Sequence, residues 1–448
     1  MSQESRGQQR YHRLRYVVLL AALVILGRLF YVQIIDDSYK ARAASNIMRS
    51  YIEFPMRGEV LDRRGEYLIR SRVCYDVMVV TRDIPKEGFD SVRLAAILNI
   101  SMDKLRRELK RAGSYSYTPH LIAGYLSQEA KLIFDESDFK GFYTRFRTAR
   151  EYPRQVGGNL LGYVSEVSPE QIHKWKYYSV GDYIGIGGVE SAYETLLRGE
   201  KGVSYRVNDT RGAVKGAYKD GAMDVLPVKG TQLTSTIDAR LQEFAEKLMV
   251  GKVGAIVALE PSTGEILVMV SSPTYNPDMM VGRQRNANFL EMTRNQRQPQ
   301  FTRALKEHYA PGSTFKLVQG LIGLEEGVLK PGDKHPCSMG FSYGVGRNSR
   351  KLKCHSHDSP LTLRRAVAES CNAYFCYVFK DIITNPKYGN IKEGMRKWTE
   401  YVKSFGFGDR LNCDLYGESK GFVPTTEFYD MGYNGRWNWG TVISCAIG

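Results

Sequence analysis

Ser313 and Lys316 stand three residues apart in the string Tyr309-Ala310-Pro311-Gly312-Ser313-Thr314-Phe315-Lys316, which opens an apolar stretch. Pro311 and Gly312 break whatever precedes them, and Leu317, Val318, Leu321, Ile322 and Leu324 then recur with the period of a helix that has one buried face. Positions i and i+3 of a helix share a face, so the spacing puts a nucleophile within reach of a base. A serine hydroxyl reacts poorly near neutral pH. An amine can take its proton only when neutral, a state that burial favours. At a helix start, backbone N–H groups also stabilise negative charge as it develops. The chemistry so spelled is nucleophilic catalysis through serine.

Two further Ser-x-x-Lys strings, Ser101 to Lys104 and Ser137 to Lys140, lie in highly charged stretches and read as solvated surface. Context therefore has to single out Ser313. A second polar cluster, Ser370-Cys371-Asn372, falls between an apolar helix containing Leu361, Leu363, Ala366 and Val367 and another beginning near Ala373. It is the only Ser-x-Asn in the chain. A helix-to-helix connection can project a hydroxyl and an amide into a cleft.

The elements that must position these groups follow from pattern. With 448 residues, 43% of them hydrophobic, the chain can bury at least two domain cores. Tyr16 to Ile35 is almost unbroken apolar sequence, interrupted by Arg28 and Gln33, and about twenty residues cross a hydrocarbon core of ~30 Å. Arg6, Arg10, Arg13 and Arg15 precede it and Asp36 and Asp37 follow, so the positive-inside rule keeps residues 1–15 in the cytoplasm and exports everything after an uncleaved anchor at 16–36. Arg28 either faces a partner helix or snorkels to the interface. The net charge of +15 does not imply nucleic acid, because no basic repeat or finger spacing accompanies it. An exported basic surface suits anionic headgroups or an acidic polymer.

Residues 37–229 read as a non-catalytic α+β module. Arg57 to Gly65 forms a charged turn feeding a strand at Tyr75 to Val80, and helices follow near Phe89 to Leu98 and Ser101 to Ala112. Ser168-Pro169-Glu170-Gln171 is a helix start, and Gly185-Ile186-Gly187-Gly188 is a turn before a helix rather than a dinucleotide fingerprint. From residue 230 a helix beginning at Asp238 carries Leu241, Phe244, Ala245 and Leu248 on one face. An antiparallel hairpin follows, Val253 to Glu260 and Glu265 to Ser271, turning at Pro261-Ser262-Thr263-Gly264. The fold class expected is α+β, with the nucleophile's helix beside a sheet.

Together, Ser313-x-x-Lys316, Ser370-x-Asn372 and the Gly254 to Leu267 string resemble a penicillin-binding transpeptidase domain related to the serine β-lactamases. The anchor, the Arg57 to Gly65 string, Tyr152-Pro153 and the Gly185 to Gly199 string resemble the elongated pedestal, a dimerisation-like module, of class B penicillin-binding proteins, most of all the elongation type. The resemblance implies that Ser313 attacks the carbonyl between the last two D-alanines of a peptidoglycan stem peptide while Lys316 takes its proton. Ser370 relays a proton and Asn372 holds the substrate amide. It implies cross-linking of precursor strands outside the inner membrane, covalent capture of β-lactams, no cofactor for catalysis, and a polytopic SEDS-type glycan polymerase and elongation scaffold proteins as partners. The family's third motif, Lys-Thr-Gly or Lys-Ser-Gly, does not occur in these residues. The transpeptidase domain, 230–448, is therefore expected to stop short of it. A β-lactam sensor, a catalytically silent scaffold and a serine β-lactamase are the rival readings.

Seven cysteines leave at least one thiol unpaired in a monomer. Cys337, Cys354, His357 and Cys371 have spacing that can close a tetrahedral zinc site, and metal binding near this position in relatives is the analogy. A Cys337 to Cys354 disulfide and free thiols stay open beside it.

Overall fold

The structure is a computed structural model and describes residues 3–31, 48–113, 119–179, 181–208, 214–344 and 349–448. The chain forms two compact units, residues 1–300 and 301–448. Gln3–Phe30 is one helix, on which Val17, Leu20, Leu23 and Leu26 are exposed. Among the described residues no helix is long and apolar enough to cross a membrane. The end of the apolar run, from residue 32, and the aspartates after it lie outside the described residues.

The strands of the first unit are, in order, Met48–Glu53 (β1), Val60–Leu61 (β2), Tyr67–Val79 (β3), His120–Leu126 (β4), Phe142–Glu151 (β5), Tyr163–Glu166 (β6), Tyr183–Ile186 (β7), Gly202–Asn208 (β8), Val214–Ala217 (β9), Leu233–Thr234 (β10), Gly254–Leu259 (β11) and Ile266–Ser272 (β12). β1, β8 and β9 make one sheet. A second is built on β3, whose thirteen residues pair with β2 near its start and β4 near its end along one edge, and with β5 along the other. Val77 and Val79 of β3 are fully buried in a core they share with Leu94, Leu98 and Leu105. The helices that bring those leucines, Ser91–Ile97 and Met102–Ala112, begin on Asp90 and Ser101, which accept hydrogen bonds from Arg93 N and Lys104 N. Ser101 to Lys104 is thus a helix cap, the use that polar residues at such positions most often have. Ser137 Oγ likewise donates to Ile133 O at the end of a helix.

Arg57, Glu190 and Arg150 form a buried ion cluster between the charged turn and the glycine-rich segment. Arg57 Nε donates to Glu190 Oε2 at 2.7 Å, and its Nη2 reaches Glu190 O and the Glu194 carboxylate. Arg150 Nε lies 2.7 Å from Glu190 Oε1, close enough for an ion pair though not aligned as a hydrogen bond, and its Nη1 donates to Gly58 O. Burial by itself would raise the Glu190 pKa, but Arg150 and Arg57 outweigh it and hold the carboxyl below its usual range. Gly185 permits the approach, since a Cβ there would meet Glu190 O at 2.0 Å.

Further along, Asp238 caps the helix Ala239–Leu248, and β11 and β12 form the antiparallel hairpin foreseen around Pro261 to Gly264. The helix does not bury the stripe its sequence advertises. Leu241, Phe244 and Leu248 are exposed, while Gln242 is buried and bonds both ways to Met269 of β12.

The second unit is organised on the helix Asn372–Ile383, whose Ala373, Tyr374, Phe375, Cys376, Phe379, Ile382 and Ile383 are fully buried. The helices Lys316–Glu325 and Ile391–Ser404 pack on it, tied together by Trp398 Nε1 donating to Gln319 Oε1 at 2.8 Å. Close packing relies on Gly323, where a Cβ would meet Val378 Cγ1 at 2.6 Å. Ile322 is buried here, but Leu317 and Leu321 are more than half exposed, so the inward face of this helix is set by Lys316, Gln319, Gly320 and Gly323 and is narrower than its apolar residues imply.

Replacing Glu190 by alanine leaves two buried guanidiniums without their shared carboxylate. Glu190→Ala is expected to destabilise the first unit by about 3–5 kcal/mol, read as a lower midpoint in urea unfolding.

Candidate active site

Ser313 lies in a 3-10 turn, Gly312–Phe315, that runs directly into the helix Lys316–Glu325. The turn leaves Ser313 exposed and swings Lys316 inward, where it retains 2% of its surface. A buried ammonium needs acceptors for each of its protons. Lys316 Nζ donates to Ser370 O at 2.6 Å, Ser370 Oγ at 3.0 Å and Asn372 Oδ1 at 2.6 Å. All three protons are thereby used, and none of the described hydrogen bonds joins the amine to Ser313 Oγ. Burial lowers the Lys316 pKa, against a smaller opposite pull from Cys354, Cys371 and Cys376.

The acceptors converge because of how Ser370 is held. It connects the helices Leu363–Ala368 and Asn372–Ile383 with φ of 50°, a left-handed conformation that is strained for a residue with a Cβ. That turn aims both its carbonyl and its hydroxyl at one point. Asn372 is fixed from the other side. Its Nδ2 donates to Lys353 O at 2.8 Å, and its backbone N–H donates to Cys354 Sγ at 3.0 Å. Lys353 ends a two-stranded antiparallel hairpin, Gly340–Tyr343 (β13) with Arg350–Lys353 (β14), so an extension between the two motifs braces the second of them. Sequence reasoning did not find this brace, because a contact between residues eighteen apart has no local signature.

The same hairpin brings the cysteines together. One ligand atom from each of Cys337, Cys354, His357 and Cys371 lies within 4.8 Å of the others, and His355 is not among them. Cys354 Sγ and Cys371 Sγ are 3.9 Å apart, so the two are thiols rather than a disulfide. Burial would raise the Cys354 pKa, but the backbone N–H of Ala373, the His357 side chain, the backbone N–H of Asn372 and the Cys337 side chain together outweigh it and hold the thiol below its ordinary value. Burial pushes Cys371 up to about 12. His357 Nδ1 engages Asp358 O at 2.7 Å, and Nε2 is buried with no partner of hydrogen-bond geometry, while the Asp358 carbonyl and then the neighbouring Cys354 raise the His357 pKa. An imidazole oriented by a carbonyl with its second nitrogen unused is the way metal-bound histidines are held. Three thiols and one imidazole fit zinc by donor type and number.

Residues 254–448 match the penicillin binding protein transpeptidase domain, and residues 52–235 match the penicillin-binding protein dimerisation domain. The chain belongs to the class B penicillin-binding proteins, in which these two domains follow one another. It is 28% identical to peptidoglycan D,D-transpeptidase MrdA of Acinetobacter baumannii, over 96% of this chain and 63% of that one, and 25% identical to MrdA of Escherichia coli, over 96% and 68%. The chain thus spans a little under two thirds of the first relative's length. Among solved structures, the complex of PBP2 with MreC from Helicobacter pylori superposes with a TM-score of 0.73 at 23% identity, covering 90% of this chain and 74% of that one, a likeness of fold. A structure described as coordinating polymerization and crosslinking in a peptidoglycan synthase complex superposes with a TM-score of 0.67 at 25% identity, covering 98% and 74%.

Proposed function

We propose that the protein is a peptidoglycan D,D-transpeptidase of wall elongation, acting through an acyl-enzyme on Ser313 and captured there by β-lactams. The observation that carries this reading is the buried Lys316 ammonium held by Ser370 and Asn372 one turn after an exposed serine.

With three acceptors around it, Lys316 rests as an ammonium. Once it loses a proton it can keep its two bonds to Ser370 O and Asn372 Oδ1 and gains one lone pair, freed from Ser370 Oγ. The lone pair then serves to take the Ser313 proton as Oγ attacks the D-alanyl carbonyl. The tetrahedral intermediate collapses with expulsion of D-alanine, whose amine receives a proton through Ser370, and an amine of a neighbouring stem peptide later takes the acyl group. Asn372 is fixed by Lys353 and Cys354, so its amide is preorganised to hold the substrate peptide.

The finer parts of the reading are these. Residues 16–36 anchor the chain in the inner membrane, with 1–15 on the cytoplasmic side and 37–229 as pedestal and 230–448 as transpeptidase domain on the outer side. Stem peptides of lipid-linked strands are the substrate, and a polytopic SEDS-type polymerase and scaffold proteins are the partners, in line with what the descriptions of the two structural neighbours name for those proteins. Cys337, Cys354, His357 and Cys371 hold a structural zinc that pins the β13–β14 extension to the Ser370 turn; catalysis itself uses no cofactor.

In native membranes treated with fluorescent penicillin, the protein is expected to carry a stable adduct that Ser313→Ala abolishes. Ser370→Ala should slow its formation by about 10²-fold or more. Rapid loss of the adduct would instead indicate a β-lactamase. Because burial lowers the Lys316 pKa, the neutral amine gains with rising pH. The acylation rate is therefore expected to climb with pH to an inflection below the usual lysine value, and a flat profile would remove Lys316 as the base. Metal analysis of the reduced protein should give roughly one zinc per chain, lost in Cys337→Ser. A Cys354 to Cys371 or Cys337 to Cys354 bond in unreduced protein without metal would replace that assignment.

A further inference from the structure

We propose that Cys354 and Cys371 are a reversible redox switch: a peroxide joins them in a disulfide, which empties the four-donor cluster of metal and loosens the turn through which Ser370 and Asn372 hold Lys316. The proposal deepens the acylation reading and rests on it for the effect on Ser313, while the disulfide and the loosened turn stand apart from it.

The two sulfurs are 3.9 Å apart as thiols, and a bond of about 2.05 Å requires them to close by about 1.9 Å. Cys354 is the more open of the pair and receives the Asn372 N–H, an arrangement that suits a thiolate, whereas Cys371 is buried. Cys354 is therefore the sulfur that meets the oxidant. Its thiolate attacks one oxygen of hydrogen peroxide, the O–O bond breaks, and a sulfenic acid forms as hydroxide leaves. The Cys371 thiol then attacks that sulfur, and its proton departs with the hydroxyl as water. With a metal in the cluster Cys371 is already a thiolate, and hydroxide leaves in place of water. Two electrons have passed from the sulfurs to the peroxide, and a dithiol returns them by exchange. A disulfide sulfur is a poor ligand, so the bond leaves only Cys337 and His357 to hold a metal.

The bond acts where Lys316 is held. Cys371 stands between Ser370, which offers its carbonyl and hydroxyl to Lys316 Nζ, and Asn372, which offers Oδ1. In the thiol state Cys354 Sγ accepts the Asn372 N–H at 3.0 Å and Cys371 Sγ accepts the Tyr374 N–H at 3.4 Å, so the sulfurs cap the start of the helix. Closing the gap between them draws the sulfurs off those donors. Ser370 is held at φ of 50°, so its turn relaxes once the caps that sustain it are lost. A bond from Cys354 to Cys337 would instead close the base of the β13–β14 hairpin, where Cys354 N donates to Met339 O, and would leave Cys371 on its cap.

The test uses the whole chain in detergent, reduced, loaded with zinc, freed of reductant and then treated with hydrogen peroxide. Peptide mapping is expected to find a Cys354–Cys371 disulfide, and a zinc-sensitive dye to find metal released in step with it. Hydrogen exchange at the first amides of Asn372–Ile383 should quicken at least about tenfold. Fluorescent-penicillin labelling of Ser313 should slow by at least about tenfold. Dithiothreitol with zinc should reverse all four changes, and Cys413→Ser, which alters a thiol outside the cluster, should respond as the unaltered chain does. No Cys354–Cys371 bond, metal kept after the bond has formed, or exchange that stays slow in the bonded form would overturn the proposal. So would loss of labelling that the dithiol does not restore, which is how oxidised methionine behaves because its repair needs an enzyme. Exchange is read without penicillin, so a chain that shows the bond and the quickened exchange yet is never labelled supports the switch and overturns the acylation reading instead.

Discussion

The constraint on which the second unit depends is the need to satisfy one buried ammonium. A lysine with 2% of its surface left has little water to lean on, so its protons must find oxygen within the protein. The Ser370 carbonyl, the Ser370 hydroxyl and the Asn372 amide supply it, and to do so Ser370 is held at positive φ between two helices. That strain is sustained by the packing on either side. The Asn372–Ile383 helix is the most buried element of the unit, and Asn372 at its start is tied to Lys353 and Cys354. The geometry around Lys316 and the core packing are therefore one arrangement, in which the helix that carries the core also begins with a group facing Lys316.

The thiol cluster extends that arrangement outward. Cys371 lies between Ser370 and Asn372 in sequence, accepts from Tyr374 N as the helix cap, and shares its cluster with Cys354, which receives the Asn372 N–H. Whatever occupies the four donors is thus mechanically close to the lysine's acceptors. The residues between the two motifs act as a clasp on the second motif rather than as a free insertion.

The first unit obeys a similar rule with a different charge. Glu190 is fully buried and is tolerable as a carboxylate only because Arg57 and Arg150 approach it from two other segments of the chain. Three stretches that look unrelated in sequence, the charged turn, the end of β5 and the glycine-rich turn, are brought to one point by that ion cluster. The glycines there admit a carbonyl where a side chain would collide. A cluster of this kind contributes less to net stability than apolar packing of the same volume, but it fixes which segments meet.

Much of this was legible in the residues themselves. The helix starts at Ser168 and Asp238, the helices near Phe89 to Leu98 and Ser101 to Ala112, and the hairpin around Pro261 to Gly264 are local patterns, set by backbone hydrogen bonding within a few residues, and each was read as the element the structure has. The grouping of Cys337, Cys354, His357 and Cys371 was also visible from spacing. Which side of a helix turns inward was not. Leu241, Phe244, Leu317 and Leu321 suggested buried faces and are exposed, while Gln242, Gln319 and Lys316 are buried. Periodicity reports only that a face is apolar; the partner that covers it, and the polar group that a neighbouring backbone can satisfy, are decided by segments far away in the chain. For the same reason the Arg57–Glu190–Arg150 cluster and the bracing of Asn372 by Cys354 belong to the tertiary structure alone, since a buried charge is stable only where distant residues deliver its partners.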